Sequence, residues 1–301
     1  MSSIRELLFQ GRRLLRHLPH TDPGLESRLL LRKAAGLAEL DVLLALERPV
    51  PANAERRFFK LVEERRARVP LAYLTGEKEF WSIPFKVFPG VLIPRPETEL
   101  LVEKVIELSS KKREWIVDIG TGSGNIAVSL AKELPKARII AADISRRALK
   151  AARFNAERQK VATITCVEGN LFRGLLSVVP QGSVDFIVSN PPYVSAREWR
   201  TLEPEIRLFE PKRALVPGPT GFEFIRRLIR GSLSFLKPGG YLVFEVGQGQ
   251  AGRVLSFFDS QWRDLRIYKD LGGIPRVVAA RKIIYGSLPF CVAKMREKIR
   301  E

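Results

Sequence analysis

Apolar residues recur at steps of three and four from the start of the chain: Ile4, Leu7, Leu8, Gly11, Leu14, Leu15 and Leu18 fall along one helical face. Thr21-Asp22-Pro23 then supplies a cap and a first-turn proline ahead of Leu25, Leu29 and Leu30, and Gly36 is a stop signal. Val42 to Leu46 and Phe58 to Val62 continue the pattern up to Pro70, so a small helical bundle is expected over residues 1–80. From Trp115 the texture changes to short β-rich runs alternating with helical segments. The runs are Trp115 to Ile119, Arg138 to Ala142, Thr163 to Val167, Asp185 to Ser189 and Tyr241 to Glu245. That alternation predicts an α/β domain over residues 115–282, a parallel sheet with helices on both faces. Between the two lies a bridge rich in turn formers, read as a linker hairpin and entry segment over 81–114. Residues 283–301 read as a strand-like piece followed by a basic helix, with no function assigned.

With 301 residues, 45% hydrophobic and 28% charged, the chain has material for two folded units. No apolar run approaches the roughly 18–20 residues that cross a bilayer, so a soluble protein is expected, and its two cysteines point to a reducing, cytoplasmic setting. The first twenty residues are basic, but their strict helical spacing and the lack of a small-residue cleavage site favour mature structure over a transit peptide. Cys166 and Cys291 are too few for a disulfide framework or a zinc site, and the only histidines are His17 and His20. Imidazole base chemistry and histidine-rich metal binding are therefore not expected, and no metal is assigned. The formal charge is +18, and residues 81–282 carry 32 basic against 20 acidic side chains. Such an excess favours an acidic partner or a nonspecific attraction to nucleic acid, and compositional bias alone would also produce it.

Three motifs carry chemistry. The first strand ends in Asp118-Ile-Gly120-Thr-Gly122-Ser-Gly124-Asn125 and runs into an apolar-periodic helix. Glycines at such a turn let backbone approach a ligand, although a nucleotide-binding protein or a purely structural turn would share them. The second strand ends at Asp143, where a carboxylate can accept from both hydroxyls of a ribose; the alternative is a residue that helps start the next helix. Asn190-Pro191-Pro192-Tyr193 follows the fourth run directly. Two prolines end the strand in a rigid turn that holds the Asn190 side chain and the Pro191 carbonyl at the sheet's carboxyl edge. Together those two oxygens can accept both hydrogens of an NH₂ group, while Tyr193 packs against the planar group.

These residues resemble the class I S-adenosylmethionine methyltransferases that act on exocyclic or amide nitrogens. Resemblance to one subgroup, the peptide chain release factor N5-glutamine methyltransferases, reaches to about Lys282. It rests on Pro70-Leu-Ala-Tyr-Leu-Thr-Gly76, Leu92-Ile-Pro-Arg-Pro-Glu-Thr-Glu99, Asp118 to Gly124, Asn190 to Tyr193, Glu210-Pro211 with Ala214-Leu215, and Leu236-Lys-Pro-Gly-Gly240. The resemblance implies a seven-stranded, mostly parallel Rossmann-like methyltransferase sheet behind a small helical substrate-docking domain. The cofactor would be S-adenosyl-L-methionine, and the substrate the glutamine of the Gly-Gly-Gln motif in class 1 release factors. Gly120, Thr121, Gly122, Ser123 and Gly124 would line the cofactor's methionine portion, Asp143 its ribose, and Asn170 and Leu171 its adenine. Asn190, Pro191, Pro192 and Tyr193 would hold the target amide. Asn190, Pro191 and Tyr193 are the expected catalytic set, and Asn190 also borders the cofactor. Many relatives carry aspartate where this chain has Asn170, so the adenine contact there loses its charge. The Pro94 to Glu99 run sets the subgroup apart from ribosomal-protein glutamine methyltransferases, and the roles of Arg95, Glu97 and Glu99 stay open. An adenine-N6 nucleic-acid methyltransferase would use the same Asn-Pro-Pro-Tyr turn, and a non-catalytic RNA-binding scaffold would explain the charge but not the motifs.

Overall fold

The computed structural model describes residues 1–110 and 112–283; the basic helix expected beyond them, with Cys291, lies outside the described residues. The chain forms two compact units. The first comprises Met1–Lys78 with Val87–Pro89 and Leu202–Glu210; the second comprises Glu79–Lys86, Gly90–Thr201 and the chain from Pro211 on.

Helices α1 (Ile4–Leu15), α2 (Pro23–Ala35), α3 (Glu39–Leu44), α4 (Ala52–Arg66) and α5 (Leu71–Thr75) build the first unit. Ser3 caps α1 through a reciprocal box: its hydroxyl accepts from Glu6 N at 3.2 Å, and Glu6 Oε2 accepts from Ser3 N at 2.8 Å. Asp22 caps α2, accepting from Gly24 N and Leu25 N, and Pro23 opens the helix as its spacing predicts. Ile4, Leu7, Leu15, Leu30, Leu31, Phe58 and Val62 are buried together as the core. Beside this core, Arg65 grips Glu26 with two parallel bonds of 2.9 and 3.1 Å and donates a third to Glu205 at 3.1 Å. Arg68 pairs with Glu203 and Glu205 at 2.9 and 2.8 Å. These ion pairs are why the distant segment carrying α9 (Pro204–Phe209) belongs to the helical unit.

A hairpin, β1 (Glu77–Phe80) and β2 (Ile83–Lys86), leads into the second unit from Glu79 on and precedes a 3-10 turn at Pro96–Thr98 and α6 (Glu99–Leu108). There follow β3 (Trp115–Ile119), α7 (Asn125–Glu133), β4 (Arg138–Asp143), α8 (Arg146–Arg158), β5 (Ile164–Glu168) and β6 (Val184–Ser189). After the excursion to the first unit come α10 (Glu223–Phe235), β7 (Leu236–Glu245), α11 (Ala251–Leu255), β8 (Trp262–Lys269) and β9 (Pro275–Lys282). Seven strands form one sheet in the order β5-β4-β3-β6-β7-β9-β8, and β9 alone runs antiparallel to its neighbours. The seven-stranded, mostly parallel methyltransferase sheet implied by the resemblance is what the chain forms.

Successive residues of each central strand enter opposite faces. Ile116, Ile139, Phe186, Val188 and Val243 pack beneath α6, α7 and α8, while Val117, Ile140, Ile187, Leu242 and Phe244 pack against α10 and α11. Leu101, Val102 and Val105 of α6 are fully buried in the first of these clusters. Much of the stretch read as linker is therefore core of the sheet unit. Two parallel strands whose starts alternate direction of crossover, β3 and β6, leave a crevice at their carboxyl ends, and ligands of open α/β sheets collect there.

Candidate active site

The crevice opens where β3, β4 and β6 end. Gly120 N and Thr121 N both donate to the Ala142 carbonyl, at 2.8 and 3.0 Å, so the glycine loop is pinned to the end of β4. Gly120 has φ +76°, and a Cβ placed on it would meet no atom within 4 Å, because it faces open space. Gly124, at φ +81°, begins α7, and a Cβ there would stand 2.9 Å from Ala152 Cα; it lets α7 and α8 touch. Asn155, buried on α8, fastens the loop from behind: its Nδ2 donates to Ser123 O and Lys86 O, and its Oδ1 accepts from Lys86 N.

The resulting cavity is about 460 Å³, in the range of small-molecule and cofactor sites. Gly120, Thr121, Gly122, Ser123, Asp143, Asn170, Asn190 and Pro192 line it together, joined by Arg95, Thr98, Arg213 and Arg227. Asp143 Oδ2 accepts from Gly122 N at 3.0 Å and Oδ1 from Ser145 N at 2.8 Å, which fixes the carboxylate while leaving each oxygen a further lone pair. Burial pushes the Asp143 carboxyl up, opposed by those N–H donors and by Arg213. Asp118 lies beneath the loop, fully buried; burial raises it to about 7, against the Thr121 hydroxyl that donates to it at 2.6 Å and with the help of the nearby Asp143 charge.

Asn170 reaches the cavity, and its Oδ1 accepts from Arg227 Nη2 at 3.3 Å. Leu171 instead joins the apolar core, held at φ +54°. Pro191 is buried and does not line the cavity. Tyr193 turns its hydroxyl to Glu245 Oε1 at 3.0 Å, and its carbonyl is held by Gln250 Nε2 at 2.8 Å. Burial, reinforced by the Glu245 charge, pushes the Tyr193 phenol well above its ordinary range, so it acts as a hydrogen-bond donor and not as a base.

Asn190 is anchored through a residue that the sequence did not single out. Its Nδ2 donates to Thr98 Oγ1 at 2.8 Å, and Thr98 donates to Glu245 Oε2 at 2.6 Å. Ser189 secures the end of β6 by donating to Ile119 O on β3 at 2.7 Å. Within the Pro94 to Glu99 run, Arg95 lines the cavity, Glu99 accepts from Trp81 N at 2.7 Å and holds the hairpin turn, and Glu97 is exposed. Thr98 lay inside that run and Glu245 at the end of the last β-rich stretch, but neither motif says that they meet.

A family model described as Methyltransferase small domain matches residues 96–218, and one described as PrmC N-terminal domain matches residues 6–76. A release factor glutamine methyltransferase of Rhodopirellula baltica is 39% identical over 269 residues, covering 86% of this chain and 90% of its own. One from Koribacter versatilis is 38% identical over 272 residues, covering 89% and 95%. A solved methyltransferase from Pyrococcus furiosus shares the fold at TM-score 0.52 and 18% identity, over 74% of this chain and 100% of that one. With identity of that extent over most of both chains in the curated relatives, the chain belongs to the release factor glutamine methyltransferase family.

Proposed function

We propose that this protein transfers a methyl group from S-adenosylmethionine to the side-chain amide nitrogen of the glutamine in the Gly-Gly-Gln motif of class 1 release factors. The observation that carries the reading is the Asn190 amide, held by Thr98 on the wall of a nucleoside-sized cavity that Asp143 and the glycine loop also line. Those residues suit the cofactor: open space at Gly120 admits a ligand against the backbone, and Asp143 keeps lone pairs for ribose hydroxyls. When bound, the cofactor supplies an electrophilic methyl group.

An amide nitrogen is a poor nucleophile because its lone pair is delocalised into the carbonyl. The work of the site is therefore positioning and hydrogen bonding. Asn190 Oδ1 accepts one amide hydrogen at the cavity wall, and we assign the other to the carbonyl of the otherwise buried Pro191; these bonds raise electron density on nitrogen and orient it. Holding the reacting groups together can contribute about 7 kcal/mol or more, and the proton shed by nitrogen leaves to water without a dedicated base. Gly120, Thr121, Gly122 and Ser123, which line the cavity, hold the methionine portion in this scheme, with Asn170 on the adenine side. Pro192 and Tyr193 shape the pocket for the glutamine.

The helical unit, read from sequence as residues 1–80, contributes the docking surface for a folded substrate; its exposed Phe9, Leu40 and Leu44 give it apolar contacts to offer. No helix among the described residues is long and apolar enough to cross a membrane, and a substrate among the translation factors puts the reaction in the cytoplasm. The decisive experiment follows labelled methyl from S-adenosylmethionine to purified release factor, to a copy with the Gly-Gly-Gln glutamine changed to alanine, and to duplex and single-stranded DNA. Label on the unaltered release factor alone is expected. Label on DNA, or on the alanine copy equally, overturns the proposal.

A further inference from the structure

An asparagine amide is nearly symmetric in shape but opposite in chemistry at its two ends. Turned by half a rotation about its last side-chain bond, Asn190 would present N–H groups to the hydrogens of an incoming amide, and the pocket would repel its substrate. Something has to choose the end. We propose that Thr98 and Glu245 are positioning residues that make the choice, by taking up Asn190 Nδ2 and so leaving Oδ1 for the substrate; the inference rests on the function proposed above.

The direction of the chain follows from counting donors. Glu245 is fully buried and, as a carboxylate, only accepts: from Thr98 Oγ1 at 2.6 Å and from the Tyr193 hydroxyl at 3.0 Å. Thr98 has one hydroxyl proton and spends it on Glu245. Its lone pairs then need a donor, and Asn190 Nδ2 stands 2.8 Å away. A protonated or amide side chain at 245 can turn a donor to Thr98, which frees the Thr98 proton to face Asn190 and removes the obligatory direction. Burial raises the Glu245 carboxyl, with a smaller push from the Glu97 charge, while the Thr98 and Tyr193 hydroxyls and Arg276 oppose that rise.

Two further observations separate this role from ordinary helix capping. Thr98 occupies the residue before α6, where threonine commonly caps, yet its side chain makes no cap bond; the hydroxyl is committed to Glu245 and Asn190. Ser189 and Phe244 are register partners on neighbouring parallel strands, so Asn190, just past β6, and Glu245, the last residue of β7, lie side by side at the sheet's carboxyl edge. Thr98, buried to 1% exposure, fills the gap between them.

The test uses full-length protein carrying Thr98→Val, Thr98→Ser or Glu245→Gln. Turnover on release factor is measured beside the cofactor dissociation constant and the side-chain ¹⁵N resonance of Asn190 in asparagine-labelled protein. Thr98→Val is expected to lower kcat about 100-fold, the scale of a misplaced reacting group, with cofactor affinity kept. Thr98→Ser should recover most of the rate and the wild-type Asn190 resonance, and Glu245→Gln should behave like Thr98→Val. Wild-type turnover in Thr98→Val, or an unmoved Asn190 resonance in Thr98→Val and Glu245→Gln alike, overturns the inference. Failure of the wild-type protein to methylate release factor is a separate result and sinks the function instead.

Discussion

Asn190 and Asp143 share one cavity wall, but the proposed reaction gives them separable tasks, one on the substrate amide and one on the cofactor. Asn190→Ala is expected to lower kcat by about 100-fold or more, the loss typical of a preorganised polar group, while cofactor affinity stays close to wild type. Asp143→Ala should do the reverse, weakening cofactor binding roughly ten- to a hundredfold by removing charged hydrogen bonds. Calorimetric titration beside single-turnover kinetics separates the two, and equal losses of binding and turnover in Asn190→Ala would contradict the division. Both residues were legible in the sequence because Asp143 ends one strand and Asn190 directly follows another, and the interval after the glycine loop or a double proline marks each. Thr98 and Glu245 were not, since their meeting joins positions 92 and 147 residues apart that no local pattern relates. Asn170 was legible as a departure from the family pattern; that Arg227 donates to it was not.

Helices and strands reveal themselves in sequence to the extent that burial dictates composition. β3, β4 and β6 are buried along both faces and therefore read as largely apolar runs, broken only by Asp118 inside β3 and by polar residues near the ends of β4 and β6. β8 lies at the sheet edge, where Arg263, Asp264, Arg266 and Lys269 interrupt it, and no such run exists to be seen. β7 starts at Leu236 through Lys-Pro-Gly-Gly, a string that reads as a turn and coincides with the register shift between Val184 and Phe186. The α9 segment joined the helical unit through ion pairs with Arg65 and Arg68, across 135 to 140 residues of chain. One element contact is directly testable, that of α7 with α8 at Gly124. Gly124→Ala must bear a left-handed backbone, about 1–2 kcal/mol, and a Cβ 2.9 Å from Ala152 Cα, a further ~1–3 kcal/mol. Gly182→Ala is the comparison: it has φ +70° with no atom within 4 Å, so only the backbone cost applies. Urea unfolding should show the larger loss in Gly124→Ala, and equal losses would mean that the helix contact yields freely.

For the molecule as a whole, the buried carboxyls beneath the cavity make stability depend on pH in an unusual direction. Asp118 is raised by burial to about 7, and Asp143 and Glu245 are raised as well. Between the ordinary aspartate range near 4 and the folded value near 7, the native state keeps a proton on Asp118 that the unfolded chain has lost. Stability therefore falls as pH rises through that window and stays low above it, by an amount on the order of a few kcal/mol for a shift of this size. The total pH profile mixes this with the self-repulsion of a chain of formal charge +18, which grows on the acid side and has the opposite sign. Asp118→Asn isolates the carboxyl: the asparagine cannot titrate, whereas the remaining charges are common to both proteins. Its amide also adds a constant offset, favourable or not, as it exchanges an oxygen for an NH₂ beside Thr121. The difference in unfolding free energy between variant and wild type, taken without cofactor, is thus expected to move in favour of Asp118→Asn from about pH 4 to about pH 7 and then level off. A difference flat across that range would mean that Asp118 is ionised in the folded protein throughout, and that the glycine loop is built on a buried charge instead of a buried acid.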